Sequence, residues 1–163
     1  MRIATRRLSL EPCPGDLLAA ALAPREATRS PLVRLPSDWP EAEAVLLFAE
    51  QARLGREDPA RAPWGPWVVW LGDEIVGDAG FKGPPDESGA VELSYYVRPA
   101  HRRRGFASEA VAAVVSWSFD HEARTVRAEC HPDNAASIRL LRSLGFALAS
   151  ADEDSCWFEK SAP

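Results

Sequence analysis

The sequence lacks the paired cysteines that a zinc site or a disulfide framework would need. Its three cysteines, Cys13, Cys130 and Cys156, are far apart, form no Cys-x-x-Cys pair and have no histidine at metal-ligand spacing. They are expected to be reduced thiols that pack as small apolar side chains. We therefore expect no metal cofactor.

An excess of positive charge and long apolar runs are also missing. The formal net charge is −5 at pH 7, and a protein that wraps nucleic acid needs a basic surface, so no nucleic-acid partner is expected. No apolar run approaches the roughly 20 residues that span a bilayer, and no secretory signal follows the basic start. These absences predict a soluble, cytoplasmic protein with no membrane partner.

The chain of 163 residues fits one domain, 1–163, and its patterns indicate a mixed α/β sheet. Alternating apolar residues and turn signals predict strands at 3–10, 67–71, 75–81, 91–97 and 125–130 and a hairpin at 146–160. Helical spacing predicts helices at 14–22, at 38–54 with Ser37 or Asp38 as N-cap, from the Gly105 loop to about residue 120, and at 134–144.

The segment Arg102-Arg103-Arg104-Gly105-Phe106-Ala107 connects a predicted strand directly to a predicted helix. Such a turn presents free backbone N–H groups and the positive helix end at one point, which attracts phosphate. Gly105 permits the backbone to approach a ligand closely, the small side chain of Ala107 leaves space at the first helical turn, and Ser108 adds a hydroxyl donor. An isolated basic triplet is ordinarily a solvated turn. Neither a Walker loop nor a dinucleotide fingerprint is present, so a phosphate ligand here is of another kind.

This loop resembles the Arg/Gln-x-x-Gly-x-Gly/Ala signature of the GNAT superfamily of N-acetyltransferases. Glu92-Leu93-Ser94-Tyr95-Tyr96-Val97-Arg98-Pro99 stands before it, and Asn134-Ala135-Ala136-Ser137 and Leu144-Gly145-Phe146 follow at the family's distance. Thr5-Arg6-Arg7-Leu8, together with the Asn-x-x-Ser version of the late motif, is similar to the branch that acetylates ribosomal-protein N-termini, which also contains many small-molecule acetyltransferases. Three motifs in the family's order make coincidence improbable.

The resemblance implies a GNAT fold, a mixed and mostly antiparallel sheet that is splayed at the coenzyme A site and flanked by helices. It implies acetyl-CoA as donor, a protein N-terminus or small-molecule amine as acceptor, and direct transfer in a ternary complex by a monomer or homodimer. A backbone N–H near Val97 is expected to stabilise the oxyanion. The residues expected to bind coenzyme A are Tyr95, Val97, Arg102, Arg103, Arg104, Gly105, Phe106, Ala107, Ser108, Asn134 and Ser137.

Glu92 is the candidate general base, because an ammonium must lose a proton before it attacks and a carboxylate beside the thioester can take it. Strand alternation puts Glu92 on the same face as Ser94 and Tyr96. The competing interpretation is an exposed or ion-paired strand residue. Glu129 and His131 on the following strand are weaker candidates.

The general acid is the position where the sequence departs from the family. Many members carry a tyrosine seven residues after the Asn of the late motif, and this chain has Leu141 there. Ser137 or water is the candidate replacement, since a thiolate with a pKa near roughly 8.5 leaves tolerably well without a strong acid. The alternative is a catalytically impaired acyl-CoA-binding module. Among the tryptophans, Trp39 and Trp64 in loops are those expected nearest a substrate.

Overall fold

The computed structural model describes residues 1–22 and 35–163. In these residues the strands form one sheet in the order β1-β2-β3-β4-β5-β6-β8-β7, in which the β5–β6 pair is the parallel one. The strands are β1 (Ile3–Ala4), β2 (Ser9–Pro12), β3 (Pro66–Leu71), β4 (Glu74–Phe81), β5 (Ala90–Val97), β6 (Thr125–Cys130), β7 (Ala147–Ala151) and β8 (Cys156–Ser161). The helices are α1 (Gly15–Leu22), α2 (Val45–Glu57), α3 (Phe106–Phe119) and α4 (Ala135–Ser143). The expected mixed, mostly antiparallel sheet with flanking helices is confirmed.

The sheet separates two apolar clusters. The larger one packs α3 against side chains such as Phe81, Val91 and Leu93. The smaller one joins α1 and α2 to the opposite face, around Trp39 and Phe48. Alternation along the strands produces this division, because successive side chains point to opposite faces.

The parallel ladder between β5 and β6 covers only part of the two strands. It pairs residues from Ala90 with Thr125 to Leu93 with Ala128, whereas β5 continues to Val97 and β6 to Cys130. Residues 94–97 stay paired with β4 on their other side. A gap therefore opens between β5 and β6 at the end where α3 begins.

The predicted strand over residues 3–10 is wrong as one element. It is two short antiparallel strands, with Ile3 paired with Leu10 and Ala4 with Ser9. Thr5 makes the turn between them, because its N–H donates to the Leu8 carbonyl at 2.9 Å and its hydroxyl accepts from the Leu8 N–H at 3.0 Å. Side-chain bonds of this kind compete with a continuous strand.

The predicted helix over residues 38–54 begins later and ends later than expected. A 3₁₀ turn over Ala42–Ala44 precedes α2, which runs to Glu57. Pro40 explains the late start, because the residue before a proline is biased away from helical geometry. Asp38 does not cap the helix but forms an ion pair with Arg98 at 2.7 Å.

No helix in the described ranges is long and apolar enough to cross a bilayer. Those ranges also hold no cluster of three or more His, Cys, Asp or Glu side chains arranged to bind a metal ion.

Candidate functional site

A cleft of about 740 Å³ opens where β5 and β6 diverge. The end of β5, the loop before α3 and the first turns of α4 form its walls. It brings together all of the residues expected to bind coenzyme A except Arg104, namely Tyr95, Val97, Arg102, Arg103, Gly105, Phe106, Ala107, Ser108, Asn134 and Ser137.

Two left-handed residues shape the loop before α3. Arg103 has a φ of 59° and Gly105 a φ of 79°, and the Glu109 N–H then donates to the Gly105 carbonyl as the helix begins. A Cβ at Gly105 would lie 3.2 Å from Nη2 of Arg7. The glycine is thus needed for its backbone conformation and for the space beside it. The loop presents the N-terminus of a 14-residue helix to the cleft, a geometry that suits a pyrophosphate.

The basic triplet has different structural roles within the loop. Arg102 Nε donates to the Val97 carbonyl at 2.9 Å, and its guanidinium lies over the Tyr96 ring at 5.5 Å. Arg104 lies over the Phe106 ring at 4.8 Å and is not among the residues that line the cleft. Arg103 lines the cleft. The triplet therefore both holds the loop against the strand end and supplies charge to the cleft.

The free edge of β5 faces the gap with its backbone groups. The Lys82 N–H donates to the Glu92 carbonyl, so in the β4–β5 ladder the backbone groups of Glu92, Ser94 and Tyr96 point to β4. Those of Tyr95 and Val97 point to the opposite side, where β6 has diverged. A ligand in the cleft can thus pair with the strand backbone.

At the α4 wall, Asn134 caps the helix by accepting from the Ser137 N–H at 3.1 Å. The Ser137 side chain and the Tyr95 phenol both line the cleft and lie near each other, and burial raises the pKa of the phenol. Leu141 is fully buried in the core and does not reach the cleft. Tyr95 and Ser137 consequently meet across the cleft from different elements.

The structure does not bring Glu92 together with these residues. Its carboxylate pairs with Lys82 and lines a separate depression of about 270 Å³ that includes Arg127 and Trp157. Glu92 precedes Tyr96 by four residues, about 13 Å along an extended strand. Glu129 and His131 are exposed and are also outside the cleft lining. The assignment of Glu92 as base stays a prediction.

A different carboxylate lies beside the cleft on the α1–α2 face. Asp78 pairs with Tyr96 across β4 and β5, which directs both side chains to the same face, and Tyr96 lines the cleft. Asp78 is 4% exposed and accepts a 2.7 Å hydrogen bond from Trp39 Nε1. Burial raises its pKa to about 7, with a further contribution from the charge of Glu41.

An ion-pair network holds the Trp39 segment over Asp78. Arg98, immediately after β5, donates to Asp38 at 2.7 Å, to Glu74 at 3.1 Å and to the Ile75 carbonyl at 2.7 Å. His101 completes it, with Nε2 at 3.0 Å from Glu74. The residue next to Trp39 is in this way tied to the end of the strand that forms the cleft.

The sequence interpretation missed several cleft residues. Ala136, Leu140 and Ser143 lie on one face of α4, and helical spacing from the Asn134 cap was sufficient to find them. Glu41 and His101 come from irregular segments, for which the sequence carries no comparable signal. Trp64, expected nearest a substrate with Trp39, packs against Phe81 and Trp117 on the opposite face of the sheet.

A strand edge opened by divergence, followed by a left-handed loop at a helix N-terminus, is the geometry of an acyl-CoA-binding transferase. The chain belongs to the GNAT acetyltransferase family, since residues 7–147 match the family described as "Acetyltransferase (GNAT) domain". It is an N-acetyltransferase of that family.

Two curated relatives cover most of the chain. It is 31% identical over 151 residues to the uncharacterized N-acetyltransferase YjdG of Bacillus subtilis, covering 88% of each chain. It is 37% identical over 146 residues to the uncharacterized N-acetyltransferase p20 of Bacillus licheniformis, covering 89% of this chain and 79% of that protein.

Solved structures share the fold at low identity. Ribosomal-protein-S5-alanine acetyltransferase from Vibrio fischeri superposes with a TM-score of 0.70 at 15% identity, covering 99% of this chain and 97% of that one. RimL, the ribosomal L7/L12 alpha-N-protein acetyltransferase in complex with coenzyme A, gives 0.69 at 16% identity and covers 99% and 98%. At this identity the likeness concerns the fold alone.

Proposed function

We propose that the protein transfers the acetyl group of acetyl-CoA directly to a primary amine in a ternary complex. The observation that carries the proposal is the cleft between β5 and β6, which combines the open edge of β5, the loop at residues 102–108 and the start of α4. The loop suits the pyrophosphate, and the strand edge suits the amide groups of pantetheine. The thioester then lies near Tyr95 and Val97, whose backbone N–H groups face the gap.

Two carboxylates lie beside Tyr96, on the proposed acceptor side of the cleft. Glu41 lines the cleft, and its charge contributes to the raised pKa values of Asp78 and of Tyr96, so the three groups are close together. Primary amines are largely protonated at neutral pH, and negative charge at the entrance attracts them. The site therefore favours cationic amines as acceptors.

We propose Asp78 as the group that takes the proton of the attacking amine. It lies on the acceptor face next to Tyr96, and its pKa of about 7 is matched to proton transfer near neutral pH. Trp39 covers the carboxylate and donates to one of its oxygens, so we propose that the proton arrives through a water molecule beside Tyr96. Glu92, in its ion pair with Lys82, is the rival assignment.

In the proposed reaction the amine nitrogen attacks the thioester carbonyl, and the carbonyl oxygen carries the negative charge of the tetrahedral intermediate. A backbone N–H of Tyr95 or Val97 stabilises that charge. The carbon–sulfur bond then breaks, the amide forms, and the thiolate takes up a proton. Ser137, which lies near the Tyr95 phenol, is the proposed donor, and water in the cleft replaces the proton that it gives up.

The cysteines favour direct transfer over an acetyl-cysteine intermediate. Burial raises the pKa of both Cys13 and Cys130, which keeps them as thiols at neutral pH. The thiolate is the nucleophilic form, so both are poor acyl acceptors. No covalent step through them is needed.

Release of free thiol from acetyl-CoA, assayed against a panel of amines, tests the proposal. The solved structures that share the fold include a ribosomal L7/L12 alpha-N-protein acetyltransferase and a ribosomal-protein-S5-alanine acetyltransferase. The panel therefore includes peptides that begin with Ala or Ser beside small polyamines and amino sugars. We expect turnover with at least one cationic amine and intersecting initial-velocity patterns when both substrates are varied. Parallel patterns, or an acetylated cysteine trapped without acceptor, would contradict direct transfer. A protein that binds acetyl-CoA but turns over no amine would contradict the proposed function.

A further inference from the structure

The N-terminal turn between β1 and β2 contacts the cofactor loop from outside the cleft. Arg7 Nε pairs with Glu109 Oε2 at 2.7 Å, and Arg7 Nη1 donates to the Arg104 carbonyl at 2.9 Å. The same guanidinium lies over the Phe106 ring at 4.6 Å, and its Nη2 is the atom nearest to a Cβ built at Gly105. One side chain thus touches the loop and the first turn of α3 together.

The contact between Arg7 and Glu109 affects phosphate binding because of where Glu109 lies. It is the acidic residue in the first turn of α3, the helix whose N-terminus faces the cleft. A carboxylate there repels a pyrophosphate. Glu109 is held by Thr5 at 2.6 Å, by the Arg7 N–H at 2.8 Å and by the Arg7 guanidinium, and its side chain is 15% exposed. These bonds keep its pKa below the usual value despite burial, so it is ionised at neutral pH.

We infer that Arg7 is a positioning residue for coenzyme A, which neutralises the Glu109 carboxylate and holds the Arg104–Gly105 turn in its phosphate-binding conformation. The inference rests on the proposed function only in that the loop binds the pyrophosphate. Arg7 acts through the loop and is not among the residues that line the cleft. The inference does not depend on the identity of the amine acceptor or of the general base.

Equilibrium binding of coenzyme A to purified variants tests the inference. We expect Arg7→Ala to raise the Kd by about tenfold, because an uncompensated charge and a less ordered loop both oppose the pyrophosphate. Arg7→Lys keeps the charge but not the paired hydrogen bonds, so an intermediate Kd is expected. Arg6→Ala is the matched control, since it removes the same charge from the adjacent exposed residue, and its Kd should equal that of the wild type.

The double variant Arg7→Ala/Glu109→Gln separates charge compensation from general damage. Removing the carboxylate should recover most of the affinity that Arg7→Ala loses, whereas a double variant as weak as Arg7→Ala overturns the compensation. In turnover, Arg7→Ala should raise the KM for acetyl-CoA and leave kcat at saturating donor within about twofold.

Thermal unfolding completes the test. In the Arg7 variants Glu109 keeps its bonds to Thr5 and to the backbone N–H of residue 7, so the proteins should stay folded with a modestly lowered melting temperature. An Arg7→Ala protein that is folded and binds coenzyme A with the wild-type Kd overturns the inference. Failure of the wild type itself to bind coenzyme A overturns the proposed function instead.

Discussion

Asp78→Asn is expected to lower kcat by about a hundredfold or more, the contribution typical of a positioned general base. The change is nearly isosteric, and the amide oxygen can still accept from Trp39 Nε1, so the fold around it should persist. Coenzyme A binding should be unchanged, because Asp78 is not among the residues that line the cofactor cleft. Steady-state thiol release at saturating acetyl-CoA and amine measures kcat, and titration with coenzyme A measures the Kd.

The pH profile adds a signature that a packing defect would not produce. A base with a pKa of about 7 is active when deprotonated, so wild-type kcat should rise with pH through about 7 and then level off. Among the residues that the structure describes, Glu41, Cys13 and Tyr96 are titratable neighbours of Asp78. Measuring the pH profile with two acceptor amines of different pKa separates the two contributions. The rise in kcat that is due to the amine shifts with the pKa of the amine, whereas the rise that is due to the enzyme stays at the same pH. The rise in kcat that is due to the enzyme should be absent in the Asp78→Asn variant.

Stability should respond in the opposite sense to activity. Burial raises the pKa of Asp78 from 3.8 to about 7, so the folded state favours the protonated carboxyl. The stability associated with this group is complete below about pH 4 and is lost as pH rises to about 7, by at most about 4 kcal/mol. The amide in the Asp78→Asn variant does not ionise, so the variant does not lose this stability as the pH rises. Denaturant unfolding should therefore show Asp78→Asn gaining on the wild type between pH 4 and pH 7.

The Glu92→Gln variant tests the alternative assignment, in which Glu92 on the neighbouring strand is the general base. It removes the same charge and breaks only the half-exposed ion pair with Lys82, for which a stability effect of about 1 kcal/mol or less is expected. On our proposal its kcat stays within about threefold of the wild type. A large loss at Glu92 with none at Asp78 would return the role of base to Glu92.

Gly105→Val should nearly abolish coenzyme A binding, with a Kd raised by about a hundredfold. The left-handed φ of 79° costs a β-branched residue about 1–3 kcal/mol, and the new Cβ would press on the Arg7 guanidinium 3.2 Å away. The loop can relieve this strain only by changing the conformation that presents its N–H groups to phosphate. Isothermal titration with coenzyme A measures the effect.

Gly72→Val is the matched control for the glycine experiment. Gly72 has a similar φ of 64°, lies in the turn between β3 and β4, and has nothing within 4 Å of the position of a Cβ. It should lose a comparable amount of stability and keep its affinity for coenzyme A. Equal losses of affinity in the two variants would show that strain anywhere in the fold suffices and would remove the special role of the loop.

The sequence determined the proposed cofactor site because that site is built from contiguous segments. The end of β5, the loop and the start of α3 follow one another within residues 95–108, and Asn134 and Ser137 lie in one turn of a helix. Local patterns specify such segments, since strand alternation, a glycine at a left-handed position and an N-cap each depend on near neighbours. Ten of the eleven residues expected to bind coenzyme A accordingly line one cleft.

The proposed acceptor side was decided by tertiary structure. Asp78 and Tyr96 are 18 positions apart, and only the register of β4 against β5 makes them neighbours. Arg7 and Glu109 are 102 positions apart, and only the turn after β1, packed on α3, lets them pair. Glu92 has the right residue type on the right face, but its distance along the strand and its ion pair keep it outside the cleft. Residue type and periodicity predict faces, whereas the positions of partners across a sheet depend on register and on the packing of distant segments.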